Sequence, residues 1–217
     1  MKQKSFFRLR AWAPASPLRV RLFIVAAVVT LLSVCPPAFS QNATISSNDA
    51  AAKRDAAAIP PKVGEVAPDF RLPYATLEKI YLKPEEHLSL SGQRGKNVIL
   101  AFYPADWSGG CTKEVCTLRD TFAELSKLNA TVLGVSGDYV FSHHEWAKLH
   151  KLQFPLLSDH DHKVARLYAS YNEGAGYNKR TVYLIDKEGV VRYVNLEFKA
   201  GDAADYARLR EELTKLK

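Results

Sequence analysis

The sequence has only three cysteines among its 217 residues, no internal repeat, and no acidic residue in its first 40 positions. The formal charge of +7 therefore belongs to the N-terminal segment, since removing its six basic residues leaves 24 Lys and Arg against 23 Asp and Glu, or +1. Downstream there is no Lys/Arg-rich run with interleaved aromatic residues, so nucleic acid is not an expected partner. A composition of 47% hydrophobic and 24% charged residues is typical of one globular domain.

Residues 1–40 are typical of a secretory signal peptide. A basic stretch precedes an apolar run at 22–34, and Ala38 and Ser40 suit cleavage before Gln41. The run is shorter than the roughly 20 residues that a membrane span needs. An uncleaved N-terminal anchor, a lipoprotein modified at Cys35 and an organellar transit peptide are the alternatives. We therefore expect an exported, periplasmic protein that contacts a membrane only through such an anchor.

Residues 41–61 are rich in Ser, Asn and Ala and predict a flexible linker. Residues 62–217 predict one folded domain in which strands alternate with helices. The predicted strands are 98–103, 131–136, 181–186 and 190–195, and the predicted helices are 111–128, 142–150, 162–167 and 203–216. The turn at 187–189 predicts an antiparallel hairpin between the last two strands. This alternation predicts an α/β fold with a central mixed sheet flanked by helices.

Outside the leader, the two remaining cysteines are Cys111 and Cys116. Cys111 follows a strand and a loop and falls where a helix is predicted to begin. The free N–H groups and the positive end of the dipole at a helix N-terminus favour thiolate over thiol, and the thiolate is the nucleophile. The sequence therefore predicts a reactive cysteine at position 111.

Pro104, Ser108 and Cys111 have the spacing Pro-x-x-x-Ser-x-x-Cys, which resembles the peroxiredoxin motif Pro-x-x-x-Thr/Ser-x-x-Cys. The resemblance is specifically to the bacterioferritin comigratory protein or peroxiredoxin Q group, which contains atypical two-cysteine enzymes. It covers about 150 residues, through the segments 63–70, 102–104, 110–120, 134–138, 142–146, 154–159 and 180–186. The chain departs from the group in reading Ser-Gly-Gly where Thr-Pro-Gly is common.

The resemblance implies a thioredoxin-like fold and a role for each site residue. Cys111 is similar to the peroxidatic cysteine, which attacks a hydroperoxide and becomes a sulfenic acid, and Cys116 is similar to the resolving cysteine. Arg180 would stabilise the thiolate and the leaving oxygen, Ser108 would position the peroxide, and Pro104 would shield the site. Glu114 matches the family position that pairs with the arginine, although many members of this group have Gln there.

The same resemblance implies the reaction and its partners. We expect a peroxidase for hydrogen peroxide and organic hydroperoxides that is recycled by a thioredoxin-like dithiol. It requires no metal or organic cofactor and is a monomer or weak dimer.

The spacing of the two cysteines has a mechanical consequence. On an intact helix, residues five apart have Cα atoms roughly 8.7 Å apart, beyond the limit of about 7 Å for a disulfide. We therefore predict an unbroken helix through Cys111 and Cys116 in the reduced protein and unwinding of at least its first turn on oxidation.

Four other interpretations of the two cysteines remain as alternatives. They are a static disulfide, an exported thiol:disulfide oxidoreductase, a copper-delivery protein and a peroxide sensor. The oxidoreductase would be expected to have C-x-x-C, and the copper protein C-x-x-x-C.

Several residues near the motif have predicted structural roles. Ser142 is predicted as a helix N-cap, His143 as a packing residue and Trp146 as a core residue. The histidine-rich stretches 143–144 and 159–162 are interpreted as helix-start and turn residues rather than a metal site. Trp107 is either a buried wall of the active-site loop or an exposed contact for substrate or a neighbouring subunit.

Overall fold

A computed structural model describes residues 59–216 of the protein. The predictions for the signal peptide and most of the linker concern residues 1–58, which lie outside the described residues. Within 59–216, no helix is both long enough and apolar enough to cross a membrane.

The described region contains eleven strands, four α-helices and two short 3-10 helices. The strands are β1 (Arg71–Leu72), β2 (Tyr74–Ala75), β3 (Ile80–Tyr81), β4 (Leu88–Ser89), β5 (Asn97–Phe102), β6 (Ala130–Ser136), β7 (Leu156–Ser158), β8 (Tyr171–Asn172), β9 (Tyr177–Asn178), β10 (Thr181–Ile185) and β11 (Val191–Asn195). The α-helices are α1 (Gly109–Lys127), α2 (Val140–His150), α3 (Lys163–Leu167) and α4 (Ala203–Thr214), and the 3-10 helices are Pro84–Glu86 and Ser91–Gln93.

Seven of the strands form one mixed sheet in the order β11-β10-β5-β6-β7-β2-β3. The pairs β5–β6 and β6–β7 are parallel, and the other neighbouring strands are antiparallel. Two further pairs, β1–β4 and β8–β9, form small separate sheets. The predicted α/β fold with a central mixed sheet and flanking helices is confirmed.

The central strand β5 shows why the sheet is covered on both faces. All six of its residues are buried, and successive side chains of a strand point to opposite faces. Ile99 and Ala101 pack in a core with apolar residues of α1, α2 and α4. Val98, Leu100 and Phe102 pack in a second core with residues of α3 and β1. A strand buried on both faces explains the continuous apolar run in the sequence.

The long predicted elements are confirmed, with ends that differ by up to two residues. The hairpin between β10 and β11 forms as predicted, with Gly189 at a positive φ of 82° in its turn. One prediction at the start of α2 is wrong. Ser142 is not an N-cap, because α2 begins at Val140 and its cap residue Tyr139 makes no side-chain capping bond.

The pairing of β10 with β5 places Arg180 beside the loop that leads to α1. Thr181 pairs with Phe102 at the end where β5 leaves the sheet, and Arg180 directly precedes Thr181. The loop that leads from β5 to α1 therefore begins next to the arginine, although the two lie far apart in sequence.

Candidate active site

Ser108 caps the helix that carries both cysteines. Its backbone is extended, with φ −79° and ψ 141°, and its Oγ accepts a hydrogen bond from the backbone N–H of Cys111 at 3.4 Å. The same hydroxyl donates to the carbonyl of Ala105 at 3.2 Å. This is the usual arrangement for a serine N-cap, and it starts α1 at Gly109. Cys111 is therefore the third residue of the helix, within its first turn, where the helix dipole favours an anion.

The side chain of Cys111 is completely buried and faces the guanidinium of Arg180. Arg180 Nη2 lies 3.3 Å from Cys111 Sγ, and Cys111 has 0% exposure. A cation at this distance stabilises a thiolate and any negative charge that develops next to it. The sequence-predicted residues Cys111, Ser108 and Arg180 are thus brought together in one site.

Gly110 allows the guanidinium of Arg180 to lie this close to the start of α1. A Cβ atom at position 110 would lie 2.9 Å from Arg180 Nη2, closer than real Cβ atoms come to their neighbours. No atom would crowd a Cβ at Gly109 within 4 Å. Of the two glycines in Ser-Gly-Gly, the second is the one that the arginine requires.

Glu114 holds the other side of the guanidinium. Its Oε2 lies 2.6 Å from Arg180 Nη1, and its carboxyl group is buried one helical turn after Cys111. Burial raises the pKa of Glu114 from 4.5 to about 7, against the opposing effect of the Arg180 hydrogen bond and charge. Its other oxygen, Oε1, is buried without a hydrogen-bond partner, which agrees with a carboxyl group that binds a proton readily.

Replacing Glu114 with glutamine is expected to remove a pH dependence of stability. Between pH 4.5 and about 7 the folded protein keeps a proton that the unfolded chain has lost, so the free energy of unfolding falls as the pH rises through this window. A pKa difference of this size corresponds to roughly 3 kcal/mol. The measurement is urea unfolding of wild type and Glu114→Gln from pH 4.5 to 8.

The informative quantity in that experiment is the difference between the two proteins at each pH, since other groups titrate equally in both. Exposed Glu145, replaced by glutamine, is the matched control. A difference that stays constant from pH 4.5 to 8 would contradict the expected result.

Pro104 and Cys116 complete the set of predicted site residues. Pro104 lies half-buried in the loop between β5 and α1, and its role as a shield stays a prediction. Cys116 is half-buried on α1, and both cysteines are free thiols. The helix runs without a break from Gly109 to Lys127, as predicted for the reduced protein. The Sγ atom of Cys116 lies 3.7 Å from Nδ1 of His150.

A buried polar network that the sequence did not predict anchors the active-site loop. The carboxylate of Asp106 accepts hydrogen bonds from Tyr103 at 2.9 Å and Ser142 at 2.7 Å, and it lies 2.9 Å from Nδ1 of His143. Burial and the Asp106 charge raise the pKa of Tyr103, so its hydroxyl remains a donor. Asp106 lies two residues before Ser108, so these hydrogen bonds connect the active-site loop to α2.

Trp107 extends the same network. Its side chain is 55% exposed, so Trp107 is not a buried wall, and a contact with substrate or a neighbouring subunit stays a prediction. Its Nε1 donates to Ser142 Oγ at 2.9 Å. Its φ of 61° is in the left-handed region that residues with side chains rarely adopt. The indole hydrogen bond helps to hold that conformation. His143 and Trp146 are fully buried, as predicted.

The clustered histidines do not converge with other ligands. Among the residues that the structure describes, no group of three or more His, Cys, Asp and Glu side chains could hold a metal ion. His160 instead stacks on Tyr139 with ring centroids 3.9 Å apart.

Comparison with known proteins identifies the family of this site. The sequence matches the AhpC/TSA family over residues 63–194, more than half of the chain. It is 41% identical over 139 residues to a protein of Coxiella burnetii described as a bcp-type peroxiredoxin, covering 61% of this chain and 87% of that protein. It is 44% identical over 108 residues to the chloroplastic peroxiredoxin Q of Triticum aestivum, covering 49% of this chain and 50% of that protein.

Solved structures give the same result. The structure of peroxidoxin BcpB from Mycobacterium tuberculosis superposes with a TM-score of 0.62 at 29% identity, covering 72% of this chain and 99% of that one. AhpC from Enterococcus faecalis shares the fold, with a TM-score of 0.63 at 24% identity over 71% of this chain and 92% of that one. The fold is thioredoxin-like, as predicted. The chain belongs to the AhpC/TSA family and is a thiol peroxidase of the peroxiredoxin type, in the group of the bcp and peroxiredoxin Q proteins.

Proposed function

We propose that the protein reduces hydrogen peroxide and organic hydroperoxides at Cys111. The observation that carries the proposal is the contact of 3.3 Å between Arg180 Nη2 and Cys111 Sγ at the start of a capped helix. The thiolate attacks one peroxide oxygen and the O–O bond breaks. Sulfur gains the hydroxyl group and becomes a sulfenic acid, and the other oxygen takes a proton and leaves as water or an alcohol.

The second step joins the two cysteines of α1. The thiolate of Cys116 attacks the sulfenic sulfur of Cys111, an S–S bond forms, and the hydroxyl group leaves as water after taking up a proton. An external dithiol of the thioredoxin type then reduces the disulfide and restores both thiols. Support comes from the half-buried position of Cys116 on the same helix.

The test is steady-state peroxide consumption with thioredoxin and its reductase. Wild type is expected to turn over, Cys111→Ser to lose all activity, and Cys116→Ser to form one sulfenic acid and then stop. Activity that survives in Cys111→Ser would contradict the proposal. Efficient insulin reduction without peroxide turnover would favour the thiol:disulfide oxidoreductase, and a single oxidation without turnover would favour the sensor.

We also propose that this reaction takes place outside the cytoplasm. The support is the basic and apolar pattern of residues 1–40 with small residues at Ala38 and Ser40. N-terminal sequencing of the protein recovered from the periplasm is expected to begin at Gln41. Recovery of the full-length chain from membranes would favour the uncleaved anchor instead.

A further inference from the structure

Cys116 cannot reach Cys111 from its place in the helix. The two residues are five apart on an unbroken helix, which sets their Cα atoms roughly 8.7 Å apart, and a disulfide tolerates about 7 Å at most. The helix must therefore unwind between the two cysteines before the bond forms. Whatever holds the side chain of Cys116 in its helical position opposes the second step of the proposed reaction.

The group that contacts the thiol is the imidazole of His150, the last residue of α2. Its Nδ1 lies 3.7 Å from Cys116 Sγ, a suitable distance for a hydrogen bond that involves sulfur. The ring is fixed by an edge-to-face contact with Trp146, at 5.7 Å between centroids. The carbonyl of His150 accepts a hydrogen bond from Nη1 of Arg119 at 2.8 Å. The contact therefore lies at a well-fixed junction between α1 and α2.

The charges around this junction favour a neutral imidazole. Burial and the Arg119 guanidinium lower the pKa of His150, and Arg119 itself pairs with Asp120 at 2.7 Å. A neutral ring has one nitrogen with a free lone pair. With that lone pair on Nδ1, the ring accepts a hydrogen bond from the thiol of Cys116.

We propose that His150 is a positioning residue for Cys116, and that its contact with the thiol limits the rate of the Cys111–Cys116 disulfide. The contact exists only while α1 is helical, so it stabilises the starting state and is lost before the sulfur atoms meet. Its removal should therefore speed up disulfide formation. This inference rests on the proposed function, because it assumes that Cys116 resolves the sulfenic acid.

The rate of resolution decides what happens to the oxidised enzyme. While the disulfide has not formed, a second peroxide can oxidise the sulfenic acid of Cys111 to sulfinic acid, which thiols do not reduce. A contact that delays resolution prolongs this exposure. The contact with His150 thus lowers the peroxide concentration at which the enzyme inactivates itself.

The test replaces His150 with phenylalanine, which keeps a ring against Trp146 and removes the hydrogen-bond acceptor. The reduced protein is mixed with peroxide, quenched with an alkylating reagent at successive times, and analysed by mass spectrometry. We expect the disulfide to form about fivefold faster than in wild type, as for the loss of one ordinary hydrogen bond. The ratio of sulfinic acid to disulfide at a fixed excess of peroxide should fall by a similar factor.

The matched control is His144→Phe, which lies on the same helix and contacts the carbonyl of Thr76 rather than a cysteine. It should resolve at the wild-type rate. His150→Leu is a second variant in case the phenylalanine disturbs folding. It also lacks a hydrogen-bond acceptor and should change the rate in the same direction.

The possible results separate the inference about His150 from the proposed resolving role of Cys116. Slower resolution in both His150 variants would overturn the inference and indicate that His150 assists the attack as a proton acceptor. An unchanged rate and an unchanged sulfinic ratio would overturn it as well. If wild type itself forms no disulfide between Cys111 and Cys116 after a rapid first oxidation, the resolving step of the proposed function fails, independently of His150.

Discussion

Replacing Arg180 with methionine is expected to slow the reaction of Cys111 with hydrogen peroxide by about 100- to 1000-fold, the usual cost of removing one donor aimed at developing charge. Arg180 Nη2 is 3.3 Å from the sulfur, and Cys111 is completely buried. In such surroundings a fixed cation stabilises both the attacking thiolate and the negative charge on the departing oxygen.

The measurement is the second-order rate constant for loss of the Cys111 thiol, followed by stopped flow or by competition with another peroxidase. Arg180→Lys should recover part of the rate because lysine keeps the positive charge. The recovery is incomplete because lysine lacks the two parallel N–H groups by which arginine contacts the thiolate and Glu114 together. Arg192→Met is the matched control, because Arg192 pairs with Asp186 at 2.6 Å on β11, away from the cysteines. A rate within threefold of wild type in Arg180→Met would contradict the assignment of the arginine.

The Arg180→Met variant also leaves the buried carboxyl group of Glu114 without its cation. Without that cation the pKa of Glu114, already raised by burial, rises further, so the variant is least stable at alkaline pH, where the buried carboxyl group ionises without a partner. The double variant Arg180→Met/Glu114→Gln avoids this cost because glutamine is neutral at every pH. It should fold better than the single variant and remain equally slow with peroxide, which separates catalysis from stability.

The part of the site that lies within one short segment could be predicted from the sequence. A strand followed by a loop with Pro104 predicts a helix that begins at Cys111. In the structure the helix begins two residues earlier, at Gly109, with Cys111 in its first turn and with Ser108 as a cap that the sequence analysis did not predict. Arg180 is different. No local pattern links it to Cys111, and only the resemblance to peroxiredoxins suggested it. The physical link is the antiparallel register of β10 with β5, a long-range pairing that the sequence does not specify locally.

The buried polar network around Asp106 could not be predicted either, because its members also lie far apart in the sequence. Asp106 and His143 contact each other across 37 positions, and each alone is an ordinary polar residue in a loop or a helix. The N-cap role predicted for Ser142 is wrong because it rests only on a serine near a predicted helix start, which is typical of a cap. In the structure the helix starts earlier, and the hydroxyl of Ser142 instead donates to Asp106. Paired unexplained polar residues within apolar surroundings are the signal that could have indicated this network.

The short strands could not be predicted either. Strands β1 to β4 have two residues each, too few to show the alternation by which a strand is recognised. They form because neighbouring strands provide pairing partners, as for β2 between β7 and β3. Tertiary context rather than local propensity creates them.

Oxidation by one equivalent of peroxide is expected to unwind the start of α1, up to Cys116 at least. The helix is continuous from Gly109 to Lys127 in the reduced protein, and the Cα separation of roughly 8.7 Å between the two cysteines forbids a disulfide without that change. Backbone amides of residues 112–116 should then exchange with deuterium about 100-fold faster or more, because they lose their helical hydrogen bonds.

The unwinding should end near Arg119. Its Nη1 donates to the carbonyl of His150 at 2.8 Å, and the adjacent Leu118 is buried in the core, so the helix beyond this point keeps its tertiary contacts. Hydrogen exchange followed by mass spectrometry should therefore show a sharp boundary within α1, with α4 (Ala203–Thr214) as an internal control. Cys116→Ser treated with the same peroxide should show no unwinding, because it stops at the sulfenic acid. A disulfide that forms while residues 112–116 stay protected would contradict the geometric argument, since a regular helix cannot bring those two sulfur atoms together.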